Sequence, residues 1–388
     1  MKLLITSIDA IIDKATGNYF DGIKEVLHHF ESLDEQNKVV ILSIHKQKLE
    51  AIPDDFYKLQ VNGGGRKGAG LIQAINNKLG IAYNDMLVLG AKEDDFILAA
   101  NSKLILLTAD YAKQNNPEDR IYANKYGICI LNADRLRFFI DHFLNINKPW
   151  YYTLQVDEDT KLYGLTNAMT LRENNQTVRQ IGDKLRDYLK EGLTEFRNPF
   201  LIYALISVYQ IFKEASEINY WGYYPSSTAA ENVELKTFKE VLRMSFKSTP
   251  KKEDILIRHK PSVARKTMSE TRRVENGCDS EFDSIIVNPA ISHLIYGKNV
   301  CIIDDFTNHG TSCEAVRHLL KKAGVNKIIF IALGKFRVDY KIYNYELDGD
   351  VCEVGYTYKR IGNFTTVRGT INPHYSDELI ESLKHLVS

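Results

Sequence analysis

Two adjacent carboxylates, Asp304 and Asp305, end an apolar run (Val300–Ile303) and are followed by Phe306, Thr307, Asn308, His309, Gly310, Thr311 and Ser312. Paired acids at a strand end can accept hydrogen bonds from neighbouring hydroxyls or hold a hydrated Mg²⁺ ion. A loop of small residues that turns into a helix offers backbone N–H groups and a dipole to a phosphate. Hydroxyls next to a phosphate describe a ribose 5-phosphate. Asp304 and Asp305 are therefore the candidates for the hydroxyls, for Mg²⁺ and for the catalytic role, and residues Thr307 to Ser312 for the phosphate. The plainer alternative is a strand–turn–helix whose acids cap the helix. His309 either donates to a phosphate oxygen or is an ordinary loop residue.

The elements that position these groups follow from spacing. Val316, Leu319, Leu320 and Ala323 recur at helical intervals, Gly324 stops the helix, and Ile328 to Leu333 reads as a second strand. The unit is a βαβ crossover with polar groups at the carboxyl end of its first strand, where ligands sit in open α/β sheets. Upstream, residues 1 to about 145 alternate strand and helix: strands at Leu3–Ile8, Lys38–Ser43, Met86–Leu89 and Lys103–Thr108, helices at Ile23–Phe30, Gly70–Leu79, Asp95–Asn101 and Leu136–Phe143. Such alternation predicts a doubly wound parallel sheet. Residues 146 to 161 read as a boundary. Beyond it, Arg172–Tyr188, Phe200–Ala215 and Leu235–Met244 read as helices, and Tyr220–Tyr224 as a strand breaking into a Pro225-Ser226-Ser227 turn. Residues 337 to 388 carry aromatics and a terminal helix at Ser376–Val387; this tail is packing by default, or a hood over an acceptor, or an oligomer surface.

Composition excludes several classes. The chain has 388 residues, 44% hydrophobic and 26% charged, with a net charge of zero, which is globular composition and no chain-wide nucleic-acid coat. Five cysteines (Cys129, Cys278, Cys301, Cys313, Cys352) stand far apart without a C-x-x-C pair, as in a reduced, cytoplasmic protein without disulfides or zinc. No run of 18 apolar residues suggests a membrane partner, and polar residues interrupt the N-terminus too early for a signal peptide. Between Arg258 and Arg273, seven basic side chains counting His259 fall within 16 residues. That stretch reads as a mobile cationic surface: a lid over pyrophosphate, a nucleic-acid patch or a solvated loop.

The acid pair and its loop resemble the signature of type I phosphoribosyltransferases, in which two acids precede a Thr-Thr-Gly-x-Thr-like loop that binds phosphoribosyl pyrophosphate (PRPP). Gly310 and Ser312 keep their places; Asn308 and His309 stand where the family has threonines. More narrowly, Lys161 to Phe336 is similar to the competence protein F family, through the Pro-x-Ser-like turn and an Arg-rich stretch ending near Asn276 and Phe282. This resemblance implies that Ser226, Ser227, Arg272 and Arg273 hold the pyrophosphate. The N-terminal residues resemble a haloacid dehalogenase-type phosphatase, with Ser7-Ile-Asp9 in place of Asp-x-Asp, Ser43 and Lys67 at phosphate positions, and Gly90-Ala91…Asp95 in place of its acidic motif. Ser7 replaces the nucleophile and Ala91 a magnesium ligand, so Asp9, Ser43, Lys67 and Asp95 remain as a degenerate set.

Together these resemblances imply two doubly wound α/β domains, 1–147 haloacid dehalogenase-like and 148–388 phosphoribosyltransferase-like. The implied function is binding of PRPP or a ribose 5-phosphate nucleotide with Mg²⁺, and transfer of the ribosyl group to an unnamed acceptor with release of pyrophosphate. Two alternatives remain open. One is a non-catalytic nucleotide-sensing effector, of the kind found among accessory proteins of bacterial stress and anti-phage (antiviral defence) systems. The other is a nucleic-acid-binding protein using residues 258–273. A protein partner or a homo-oligomer is compatible with either.

Overall fold

Runs in which every side chain is buried form the centre of the first sheet: Leu3–Ser7 (β1), Met86–Gly90 (β4) and Ile105–Ala109 (β5). A strand covered on both faces has no solvent side to alternate towards, so it reads as a continuous apolar run and belongs in a parallel sheet. With Lys38–Ser43 (β2), Tyr57–Gln60 (β3) and Ile128–Ile130 (β6) these make a six-stranded, all-parallel sheet in the order β3-β2-β1-β4-β5-β6. The order reverses between β1 and β4, which places a crevice at their carboxyl ends.

The computed structural model describes residues 2–52, 56–146, 148–170, 175–249, 253–262, 270–372 and 374, without the side chains of 66, 270 and 273. The chain divides into two compact units, Met1–Ile146 with Met244–Lys247, and Asn147–Arg243 with Ser248–Ser388. Among the described residues no helix is long and apolar enough to cross a membrane.

The second unit is also α/β, but its sheet is mixed rather than all-parallel. Its strands are Tyr152–Asp157 (β7), Thr160–Asn167 (β8), Tyr220–Tyr223 (β9), Leu256–Arg258 (β10), Ile285–Val287 (β11), Asn299–Thr307 (β12), Lys327–Lys335 (β13), Tyr340–Ile342 (β14), Tyr345–Asp348 (β15), Thr357–Arg360 (β16), Thr365–Val367 (β17) and Thr370–Ile371 (β18). The main sheet runs β18-β7-β8-β13-β12-β9; β8, β13, β12 and β9 are mutually parallel, whereas β7 pairs antiparallel with β8 on one side and with β18 on the other. The cause is the two-residue connection Glu158–Asp159, long enough for a hairpin and far too short for a parallel crossover. The stretch 146–161 is therefore no simple linker: half of it is strand, with Trp150, Tyr151 and Tyr152 buried. Smaller pairs β10–β11, β14–β17 and β15–β16 complete the unit.

The crossover from β12 to β13 passes through the helix Thr311–Lys322, which buries Val316, Leu319 and Leu320, each side chain contributing about 1.5–3 kcal/mol. The segment expected as a helix from Arg172 is helical at Gln176–Arg186 and continues as one π-turn, Asp187–Glu191, that ends at Gly192; residues 171–174 lie outside the described ones. The expected terminal helix at 376–387 lies outside them too.

Candidate functional site

β12 carries the acid pair to the edge where the parallel strands of the second unit end. In register, Ile303 faces Tyr223 of β9, Asp304 faces Ala332 of β13, and Thr307 faces Lys335. The amide of Tyr224 still donates to the Ile303 carbonyl at 2.8 Å, so the Pro225-Ser226-Ser227 turn leaves the sheet at the level of Asp304. There Ser226 Oγ bonds Thr228 Oγ1 at 3.0 Å, and the Ser227 carbonyl accepts from Ser262 N at 3.0 Å.

The two acids differ in valence. Asp304 is 5% exposed; its Oδ1 accepts from the Asp305 amide at 2.9 Å, while its Oδ2 is buried without a partner. Burial, and next the charge of Asp305, push its carboxyl well above the usual carboxylate range, which favours the neutral, proton-donating form. Asp305 is half-exposed by contrast. Its Oδ1 accepts from Phe306 N at 2.6 Å, and its Oδ2 is paired with the ammonium of Lys190, which also lies 5.3 Å from the centre of the Phe306 ring. Lys190 comes from the π-turn, more than a hundred residues upstream, and sequence reading did not find it.

The loop that follows is shaped by Gly310, whose φ of +84° lies in the left-handed region. A Cβ there would meet the Tyr340 ring at 1.9 Å, so only glycine allows this approach. As the N-cap residue Gly310 supplies no side-chain cap, and the amides of Thr311, Ser312 and Cys313, in the first turn of the helix, have no hydrogen-bond partner among the described residues. Asn308 Oδ1 is likewise buried and unpartnered. His309 Nδ1 donates to the Asp339 carbonyl at 3.1 Å, which turns the ring towards the chain after β13. Thr307 Oγ1 lies 3.9 Å from Cys313 Sγ.

A buried ion pair supports the loop from below. Glu314, 0% exposed, accepts from Arg317 at 2.9 and 2.6 Å, from the Tyr340 hydroxyl at 2.8 Å and from the Tyr343 amide at 3.0 Å. All its lone pairs are engaged, so the group is structural. Tyr340, Tyr343 and Tyr345 are accordingly buried, the packing role expected of the tail. On the other side stands Lys335, also 0% exposed, whose ammonium donates to the carbonyls of Asn308, Phe336 and Val338 at 2.8, 2.6 and 2.8 Å. Burial pushes it down to about 8. In the sequence Lys335 is one lysine among many after an apolar run, and nothing marked it.

The basic segment needs correction. Arg258 is not on a mobile surface: it ends β10, is 6% exposed, and donates to Glu281 Oε2 at 2.6 Å and Ser284 Oγ at 2.5 Å. A short strand paired with β11 and a buried carboxylate partner hold it, so the cationic patch loses its first member. Residues 263–269 lie outside the described ones. Arg272 is exposed on the helix Glu270–Asn276, and the Arg273 side chain is outside the described part. That helix leads to Cys278, whose Sγ sits 3.6 Å from the Thr311 carbonyl, so its end packs on the start of the loop helix.

The candidates of the first unit sit at the carboxyl ends of β1, β2 and β4. Asp95 is 3% exposed and accepts from Ser7 Oγ at 2.9 Å and from the Ala91 amide at 2.8 Å through one oxygen. Asp9 is paired with Lys92 at 2.5 Å and Lys14 at 3.5 Å. Ser43 Oγ accepts from His45 N at 3.1 Å. Lys67 stands apart from this group: its ammonium pairs with Asp94 at 2.8 Å on a half-exposed surface.

No protein-family model matches this chain, and no curated protein does either.

Neither of two cavities in the second unit contains the acid pair. One of about 470 Å³ is lined by His293, Tyr296 and Cys352; another of about 450 Å³ lies at the amino ends of the strands, beside Lys161, Glu214, Asn299 and Lys327. Size does not decide here: ligands of parallel sheets bind outside the carboxyl ends of the strands, and the unpartnered Asp304 Oδ2 and Asn308 Oδ1 are at that end. Among the described residues no cluster of three or more His, Cys, Asp or Glu is built to hold a metal.

Proposed function

We propose that the second unit is a type I phosphoribosyltransferase-like domain that binds PRPP or a ribose 5-phosphate nucleotide. The observation that carries this reading is the juxtaposition, on one strand and its loop, of a buried unpartnered Asp304 Oδ2 and the free first-turn amides of Thr311 and Ser312. A sugar hydroxyl would satisfy the first and a 5-phosphate the second. Ser226, Ser227 and Arg272 would meet the pyrophosphate. Catalysis on such a ligand is positioning: the C1–oxygen bond to pyrophosphate breaks, a bond from C1 to an incoming nitrogen forms, and the nitrogen's proton leaves to solvent.

Mg²⁺ fits the residues only in part. Asp304 tends to its neutral form, and Asp305 already has Lys190 as counter-ion. The ion belongs to this reading as the pyrophosphate's own companion, with Asp305 the carboxylate accessible to it; no step depends on it.

Titration calorimetry of the full chain with PRPP and Mg²⁺ tests the reading: binding is expected, and Asp304→Ala with Asp305→Ala removes it. Unchanged affinity in that double variant assigns the ligand elsewhere.

A second reading, ligand sensing without turnover, is favoured by the Lys190–Asp305 ion pair, which must open before a sugar hydroxyl reaches Asp305. Pyrophosphate release with a panel of nucleobases and amines separates the two. Fast release with a common nucleobase makes the domain a salvage enzyme; clear binding without release favours sensing. For the first unit we propose a haloacid dehalogenase-like fold kept without its chemistry, because Ser7 stands where the nucleophile would be and Ala91 where a magnesium ligand would be, and Lys92 is paired with Asp9.

A further inference from the structure

An ammonium is costly to bury, and natural cores hold one only where its protons are engaged. Lys335 meets that condition with three carbonyl acceptors, and its Nζ also lies 4.8 Å from the centre of the Tyr152 ring. Room for it is made in β8: a Cβ on Gly164 would stand 2.8 Å from Lys335 Cβ. The three carbonyls belong to two separate stretches of chain, the loop after β12 and the turn after β13. The turn does not need Lys335 to stay near the strand that carries it. The loop residue Asn308 does, because its carbonyl would otherwise be free to turn to solvent.

The peptide between Asn308 and His309 is trans, as are all described peptide bonds. In a trans peptide the C=O and N–H point in opposite directions. Drawing the Asn308 carbonyl onto Lys335 therefore turns the His309 N–H away from the Lys335 ammonium. A second bond fixes the other end of the loop: the His309 carbonyl accepts from the Lys341 amide at 2.9 Å.

We infer that Lys335 is the positioning residue of the phosphate loop: by holding the Asn308 carbonyl, its buried ammonium sets the direction in which residues 309–312 present their amides to an anion. The inference rests on the phosphate-binding reading above, and the role is distinct from contact with the ligand, since the ammonium's three donors are already used. A lysine serves here where a water would not, because three carbonyls need three donors and a water has only two.

The test compares wild type with Lys335→Met, which keeps the length of the side chain without its donors, and Lys335→Gln, which restores two donors. Amide exchange of residues 308–312 is followed without ligand, and affinity for ribose 5-phosphate is measured by calorimetry. Lys335→Met should keep the circular-dichroism spectrum and the slow exchange of β12 and β13, speed exchange in the loop, and lose roughly ten- to a hundredfold in affinity. Lys335→Gln should recover part of both. Loop exchange unchanged in Lys335→Met overturns the inference, whatever the ligand result. If wild type itself fails to bind ribose 5-phosphate, the phosphate-binding reading falls, while the exchange comparison still decides whether Lys335 orders the loop. Loss of the native spectrum in both variants would make Lys335 a support of the whole sheet and overturn the local role.

Discussion

The two units place acids at the carboxyl ends of parallel strands, and each has drawn a lysine onto one of them: Lys92 onto Asp9 in the first, Lys190 onto Asp305 in the second. The remaining acid tells them apart. Asp95 receives the Ser7 hydroxyl and the Ala91 amide on the same oxygen, whereas Asp304 receives one amide and leaves an oxygen buried without a partner. A buried polar group left unsatisfied costs about 1–3 kcal/mol, a cost that folding alone gives no reason to keep and that a ligand can relieve. Topology provides both crevices; on the reading proposed above, the oxygen that Asp304 leaves without a partner marks the second as the candidate binding site.

The comparison would break most completely if the first unit proved to be an enzyme. Aspartyl-phosphate chemistry needs a carboxylate nucleophile free to attack, and here Asp9 is held between two ammonium groups while Ser7 is committed to Asp95. With a generic phosphate ester and Mg²⁺, the full chain should show no hydrolysis above background. Robust activity that disappears in Asp9→Asn would mean that Asp9 escapes its lysines and that the site is open after all.

A second way to sharpen it is to compare the supports beneath each crevice. Glu314 and Arg317 form a buried ion pair under the loop; removing Glu314 leaves Arg317 with Asp157, 3.2 Å away, as its remaining carboxylate, so the loss falls at the lower end of about 3–5 kcal/mol. Glu314→Leu should lower the unfolding transition of the second unit by that amount in denaturant titration, and the Tyr340 hydroxyl loses its acceptor at the same time. Asp95→Ala removes the acceptor of the Ser7 hydroxyl and the Ala91 amide in the first unit and should cost about 1–3 kcal/mol. Equal losses in the two variants would remove the distinction between a built support and a merely satisfied acid.

How far this difference was legible in the sequence depends on the range of the interactions. β12, its helix and β13 follow from local pattern: an apolar run, a glycine in the left-handed region, a helical period and Gly324. The structure extends the second strand by a residue or two at each end. The first sheet's strands were readable for the same reason, except β3 and β6, which are only four and three residues long, too short to establish a period. What local pattern cannot carry is pairing. Lys92, Lys190 and Lys335 are ordinary lysines until the fold sets them against Asp9, Asp305 and the Asn308 carbonyl. Arg258 looked like surface because it begins a basic run, but its partner Glu281 lies in a different segment and draws it inside. The β7–β8 hairpin was missed because its turn, Asp157-Glu158-Asp159, has none of the glycine or asparagine that announces a tight turn.

The smallest effect, and the most direct reading of Asp304, is in the pH dependence of stability. Its carboxyl titrates in the folded protein well above its ordinary value, burial being the first cause. The folded state then binds that proton more tightly than the unfolded chain. Stability from this group is fully present below the unfolded pKa and is lost as pH rises through the folded one. Asp304→Asn keeps the shape and a hydrogen-bonding head but cannot ionise. It should leave the second unit about as stable as wild type in acid and more stable at neutral pH, with a flatter slope between. Unfolding titrations at a series of pH values compare the two slopes; Asp95→Asn in the first unit serves as the control for a buried acid whose bonds are already made. Parallel wild-type and Asp304→Asn slopes would mean that Asp304 is ionised in the folded protein. Its free oxygen would then be a carboxylate seeking a cation rather than an acid offering its proton to a sugar.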